Sequence, residues 1–206
     1  MTLDLDPVEC RVLGALIEKE MATPEYYPLS LNALVNACNQ KTNRDPMMSL
    51  SDGDVEGALD KLEERRLAEG HTGSRVVKYG HRLSEHWNLP NSQMSVICVL
   101  LLRGPQTSGE LRTRTQSLHG FEDLESVESA LHRLQERELV VLLPRQPGSR
   151  EPRWAHLVGG PVSVEALAEQ AAVTASREPL AERVTRLELE VAELRDQVRD
   201  LVRQLS

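Results

Sequence analysis

Apolar residues along this chain follow three periodicities, and each predicts a different kind of element. Helical spacing governs Val12, Leu13, Leu16 and Ile17 within Glu9–Lys19, then Leu31, Leu34, Val35 and Cys38, then Val55, Ala58, Leu59 and Leu62. Three helices are therefore expected in the first 70 residues. Ser30 is placed to cap the second, and Ser51 to start the third with Asp54 at the capping-box position. Between the first two, Pro24 and Pro28 bracket Tyr26 and Tyr27 as a short extended piece, and Asn39-Gln-Lys-Thr-Asn-Arg-Asp-Pro46 reads as a loop. Gly70 is expected to stop the third helix. A hairpin should follow, with Gly73 near its tip and Val76, Val77 and Tyr79 on the returning strand.

The same order then returns. An apolar helix is expected from about Gln93 to Leu102, a turn at Arg103-Gly-Pro105, and a helix from Thr107 with Glu110 completing a capping box. A further helix near Leu124 to Glu138, a strand Leu139–Leu143 and a hairpin tip around Pro147-Gly148 complete the unit. The recurrence is literal. Val55–Ala68 and Val127–Val140 are identical at eight of fourteen positions, and Gly73-Ser-Arg with Tyr79 and His81 echo Gly148-Ser-Arg with Trp154 and His156. A period of about 75 residues is too long for a solenoid repeat and suits two small domains in tandem. Helix, short strand, helix, helix and hairpin is the order of a winged helix-turn-helix. The expected fold is thus mainly α with small β-hairpins, as two tandem winged helix-turn-helix domains followed by a C-terminal coiled-coil helix. The boundaries read 1–90, 91–160, a linker with a short helix at 161–178, and a coiled coil at 179–206.

The third periodicity is in that tail. Leu180, Val184, Leu187, Val191, Leu194, Val198, Leu201 and Leu205 alternate spacings of four and three. Valine at three of four a positions with leucine at every d position favours a parallel dimer. Arg183 would face Glu188 of a second copy, and Glu190 would face Arg195, so both cross-chain contacts are attractive.

Charge changes the picture more than composition does. The net charge is -8, which opposes simple attraction to nucleic acid. Residues 1–90 carry 10 basic and 15 acidic side chains, residues 91–160 carry 8 and 8, and residues 161–206 carry 6 and 9. The run Val96–Leu102 is far too short to span a bilayer, and the N-terminus lacks a basic segment leading into an apolar one. A cytoplasmic protein without membrane contact is expected. Cys10, Cys38 and Cys98 lie apart among apolar residues with no Cys-x-x-Cys pair, so reduced core thiols are expected. No His-Glu-x-x-His, no Gly-x-Ser-x-Gly and no phosphate-cradling glycine loop is present. The reading is non-enzymatic, with no cofactor and no metal, and it assigns His81 and His156 a shared structural place at the base of each hairpin.

Two functions compete for this pattern. A winged helix ordinarily sets its third helix in the major groove of DNA and reaches backbone with its hairpin. Here the third helices begin Ser51-Asp-Gly-Asp-Val-Glu56 and Glu122-Asp-Leu-Glu-Ser-Val-Glu128, which would repel phosphate. Basic residues collect elsewhere: Arg75, Lys78 and Arg82 around the first hairpin, Arg145, Arg150 and Arg153 around the second, Lys41 and Arg44, with the polar Asn43, in the loop after the second helix, and Arg112 and Arg114 on the second unit's second helix. These are the DNA-contact candidates of a dimeric transcriptional regulator led by its wings, with Arg75 and Arg150 at the tips. The alternative is a protein-protein adaptor with acidic winged-helix surfaces, in the manner of the bacterial segregation and condensation protein B. Tyr79 and Trp154 correspond across the repeat and are expected to pack onto the core.

The segments Asn39–Pro46, Arg103-Gly-Pro-Gln-Thr-Ser-Gly-Glu-Leu-Arg112 and Leu143-Pro-Arg-Gln-Pro-Gly148, with Glu151, Arg153 and His156, resemble the bacterial YceH family of tandem winged-helix proteins. The resemblance covers roughly residues 5 to 158. It implies the tandem winged-helix fold, and it points to Gln40, Asn43, Arg44, Gln106 and Arg112 as polar residues that the apolar pattern does not explain.

Overall fold

Asp6 starts the chain's first helix. Its carboxylate accepts from the Val8 and Glu9 amides at 2.8 Å each, Glu9 accepts from the Asp6 amide at 2.7 Å, and Pro7 takes the first turn, where its missing N–H costs nothing. The computed structural model describes residues 3–73, 76–145 and 151–160, and α1 runs Pro7–Ala22. A 3-10 turn at Pro24–Tyr26 leads to β1 (Leu29–Ser30) and α2 (Leu31–Cys38), which Ser30 caps. Then come α3 (Asp52–Glu64), β2 (Ala68–His71), β3 (Lys78–His81), α4 (Leu83–Trp87) and α5 (Asn91–Arg103). The second series ends with α6 (Ser108–Arg114), α7 (Leu124–Glu136), β4 (Val140–Leu142) and β5 (Trp154–His156). The fold is mainly α, with two small antiparallel sheets among the described residues.

The duplication extends to hydrogen-bond register. Ala68 pairs with His81 and Val140 with His156, while Leu29 pairs with Tyr79 and Gln106 with Trp154. Both third helices end alike. Arg66 and Glu138 are each left-handed at φ 58°, and the next amides, Leu67 and Leu139, donate to Leu62 O and Leu134 O at 2.8 and 3.0 Å. This closure, a left-handed residue followed by a long return bond, satisfies carbonyls that the helix leaves unpaired. It also corrects one expectation: α3 stops at Glu64, and Gly70 lies inside β2. The returning strand likewise begins at Lys78, leaving Val76 and Val77 outside it and exposed. The prolines around Tyr26 impose a turn, and the paired extended residues fall later, at Leu29–Ser30.

The described residues form one compact unit with a continuous apolar core. Its axis is the packing of α1 on α5, the equivalent first helices of the two repeats. That contact explains why residues 9–17 and 93–102 are buried on every side rather than along one stripe. Gly14 permits the close approach, since a Cβ there would stand 2.9 Å from Leu102 Cδ2 and 3.1 Å from Leu101 Cβ. Cys98 Sγ donates to Gly14 O at 3.5 Å across the same contact. The three cysteines are free and buried, and burial pushes the Cys10 and Cys38 thiols up to about 12, which suits inert core groups. Trp154 is buried, and Tyr79 is half-buried against the core. The heptad residues Leu180 through Leu205, the linker, Arg75, Arg150 and the second hairpin's tip at 146–150 lie outside the described residues.

Candidate functional site

The loop after α2 is built around a buried arginine. Arg44 gives Glu18 a bidentate pair, at 3.0 Å to Oε1 and 2.6 Å to Oε2, and donates further to Ala37 O at 3.0 Å and Asn43 O at 2.9 Å. Its side chain has no exposed surface, so it is removed from the candidate DNA contacts. Burial would raise the Glu18 carboxyl, but the hydrogen bonds and charge of Arg44, with Lys19, outweigh it and hold the group below its ordinary value. Arg11 is buried beside it and donates to Cys38 O at 3.1 Å and Pro46 O at 2.6 Å. Asn43 accepts from Arg103, and Asp45 N–H donates to Leu102 O at 2.9 Å, so the loop joins α1 and α2 to α5.

Other predicted contacts are also engaged within the chain. Arg82 pairs with Glu85 at 2.6 Å and Glu69 at 3.5 Å, Arg112 donates to Glu122 O at 2.9 Å, and Arg114 lies 3.5 Å from Glu110. Arg153 donates to both Glu110, at 2.8 Å, and Pro105 O, at 2.9 Å. Lys41 and Arg145 are exposed and Lys78 is half-buried, and no ion pair engages these three among the described residues. Among the described residues, five of the predicted cations, Arg44, Arg82, Arg112, Arg114 and Arg153, thus have partners within the chain.

The acidic third helix is different. Val55, Ala58, Leu59 and Leu62 bury one side of α3, and the other exposes Asp52, Asp54, Glu56, Asp60 and Glu64. Its cations, Lys61 and Arg65, turn toward the N-terminal segment: Lys61 meets Asp6 at 2.8 Å, and Arg65 donates to Leu3 O at 2.8 Å and Asp4 O at 3.1 Å. Where α3 meets the hairpin an open groove of about 400 Å³ is lined by Glu63, Glu69, Val77 and Tyr79 together with the cations Arg66 and Arg82. The Asn39–Ser51 loop carries a second groove, of about 540 Å³, beside Gln40, Lys41 and the exposed Met47. Sequence reading missed the first groove because Glu63 looks like any other charge on a solvated helix face.

The two equivalent histidines differ in their partners. His81 Nε2 lies 2.8 Å from Glu20 Oε2, and its Nδ1 accepts from the Leu83 amide at 3.2 Å. His156 presents an edge to solvent, but its Nδ1 is shut off and unpartnered, and burial lowers the ring's pKa to about 4. Among the described residues no group of histidine, cysteine and carboxylate side chains is set to hold a metal, and no helix is long and apolar enough to cross a membrane.

A family model described as "Protein of unknown function, DUF480" matches residues 5–149. The chain belongs to this family. It is 47% identical to a UPF0502 protein of Aeromonas hydrophila across 100% of this chain and 98% of the relative. It is also 50% identical to UPF0502 proteins of Opitutus terrae, over 93% of this chain and 83% of that one, and of Solibacter usitatus, over 95% of each. This UPF0502 family is the YceH family that the polar segments resemble. Several residues of those segments have a structural account. Arg44 and Asn43 join helices, while Gln106 bridges to Trp154 and donates to Arg103 O at 3.1 Å and Pro105 O at 3.0 Å. Thr107 and Glu110 cap α6, and Glu110 also receives Arg153.

Proposed function

We propose that each repeat is a winged helix and that the protein is a non-enzymatic adaptor, holding a cationic segment of another protein on the acidic face of α3. The observation that carries this is the contrast in side-chain commitment. The carboxylates Asp52, Glu56, Asp60 and Glu64 stand exposed on α3, while Arg44, Arg82, Arg112, Arg114 and Arg153 are engaged by carboxylates or carbonyls of the same chain. A helix bearing that charge in the position of a recognition helix repels phosphate and attracts lysine and arginine. The tail heptads would pair two copies in parallel and so double the number of acidic faces, which raises avidity for a partner with two basic segments. A dimeric DNA-binding regulator is the second reading. Lys41, Lys78 and Arg145, without ion pairs among the described residues, together with Arg75 and Arg150, are the residues it would use.

Titrating the purified full chain against a labelled mixed-sequence DNA duplex, from low to physiological salt, separates the two. The adaptor reading predicts weak retention at low salt that disappears at physiological salt. Sequence-selective binding that persists at physiological salt, with a steep salt slope, would overturn it in favour of the regulator.

A further inference from the structure

The groove between α3 and the first hairpin has chemistry that the rest of the acidic face lacks. Glu63, at the last turn of α3, has one carboxylate oxygen, Oε1, shut off from solvent and without a hydrogen-bond donor. A buried, unpaired carboxylate oxygen is costly, and a charged donor brought to it is rewarded accordingly. The oxygen lies within 3.1 Å of where a Cβ on Gly70 would be, with Val77 Cγ1 at 3.4 Å and Tyr79 Cε1 at 3.6 Å from the same point. Carboxylate, valine and tyrosine ring thus converge beside Gly70, where even a Cβ would be tightly packed. Arg82, one of the two cations that line the groove, is held by Glu85 and Glu69. Arg66, the other, makes no ion pair among the described residues. The Tyr79 hydroxyl is raised above its ordinary value by burial and then by the charges of Glu63, Glu56 and Asp60.

We infer that this groove receives an arginine side chain from an extended basic segment of a partner protein, with the guanidinium donating to Glu63 and lying against the Tyr79 ring. The inference rests on the adaptor reading and narrows it to one pocket. Arginine fits better than lysine because its planar fork can donate to Glu63 while its face stacks on the ring, and its stem can cover Val77. The remaining carboxylates of α3 would attract the segment without fixing its register.

The test uses the full chain with isotope labels and a short Gly-Arg repeat peptide, alongside the same peptide with citrulline for arginine. The expected result is that the arginine peptide shifts the Gly70, Val77 and Tyr79 resonances, that the citrulline peptide does not, and that Glu63→Gln weakens binding about tenfold while leaving the spectrum folded. Binding mapped to Asp52–Asp60 and indifferent to Glu63→Gln would overturn the groove and leave the adaptor reading standing. Failure of the arginine peptide to bind even at millimolar concentration would overturn both.

Discussion

Replacing Arg44 with methionine is expected to destabilise the protein by about 3–5 kcal/mol, the cost of breaking a buried ion pair on one side. Methionine nearly fills the volume, so the loss comes from the atoms left behind. Glu18 would keep only Lys19, at 3.4 Å and partly exposed, and Ala37 O would lose its donor. Because the Arg44 loop ties α1 and α2 to α5, the loss should appear as one shift of a single urea transition. Removing both charges with Arg44→Met and Glu18→Leu together should recover much of it, since neither member of the pair is then left buried without the other. A loss below about 1 kcal/mol from Arg44→Met alone would contradict the buried pair and match a solvent-screened one.

The second large effect is a dependence on pH. Folding takes His156 from an ordinary pKa of 6.5 to about 4, so between those values the unfolded chain binds more protons than the folded one. Stability from this group is fully present above pH 6.5, declines as pH falls toward 4, and declines no further below it. The total is about 3 kcal/mol, from 1.36 kcal/mol for each pH unit of the gap. The check is urea unfolding of the natural protein and of His156→Gln at pH 7 and pH 4.5. Carboxylates such as Glu18, whose stabilisation is also lost toward acid, affect both proteins and cancel in the comparison. The natural protein should lose more stability than the variant, and parallel losses would show that His156 is not buried neutral.

Much of the local structure was legible because short-range chemistry fixes it. Ser30, Ser51 and Thr107 each cap the helix predicted to begin there, since a side-chain oxygen three residues ahead of an orphan amide needs nothing distant. The duplication was legible to the level of strand register, as Ala68 with His81 and Val140 with His156 attest. Long-range pairing was not. Nothing around Arg44 distinguishes it from Lys41 three residues earlier until Glu18, 26 positions away, is brought to it by packing. The joint core of the two repeats was likewise hidden, because α1 and α5 carry apolar residues on faces that a single isolated unit would expose. The acidic face of α3 was legible, since charges opposite an apolar stripe must face water. The groove beside it depends on Gly70 and Tyr79 arriving from the hairpin, which no local pattern encodes.

Charge reversal on α3 tests the central claim most directly. Glu56→Lys with Asp60→Lys changes two exposed residues that touch no core group, so the fold should persist. Measured side by side at physiological salt, the doubly reversed protein should lose its affinity for the Gly-Arg peptide and gain affinity for duplex DNA relative to the natural chain. If the natural chain instead binds duplex DNA more tightly than the peptide, and the reversal leaves peptide binding unchanged, the acidic face is not the recognition surface and the adaptor account fails.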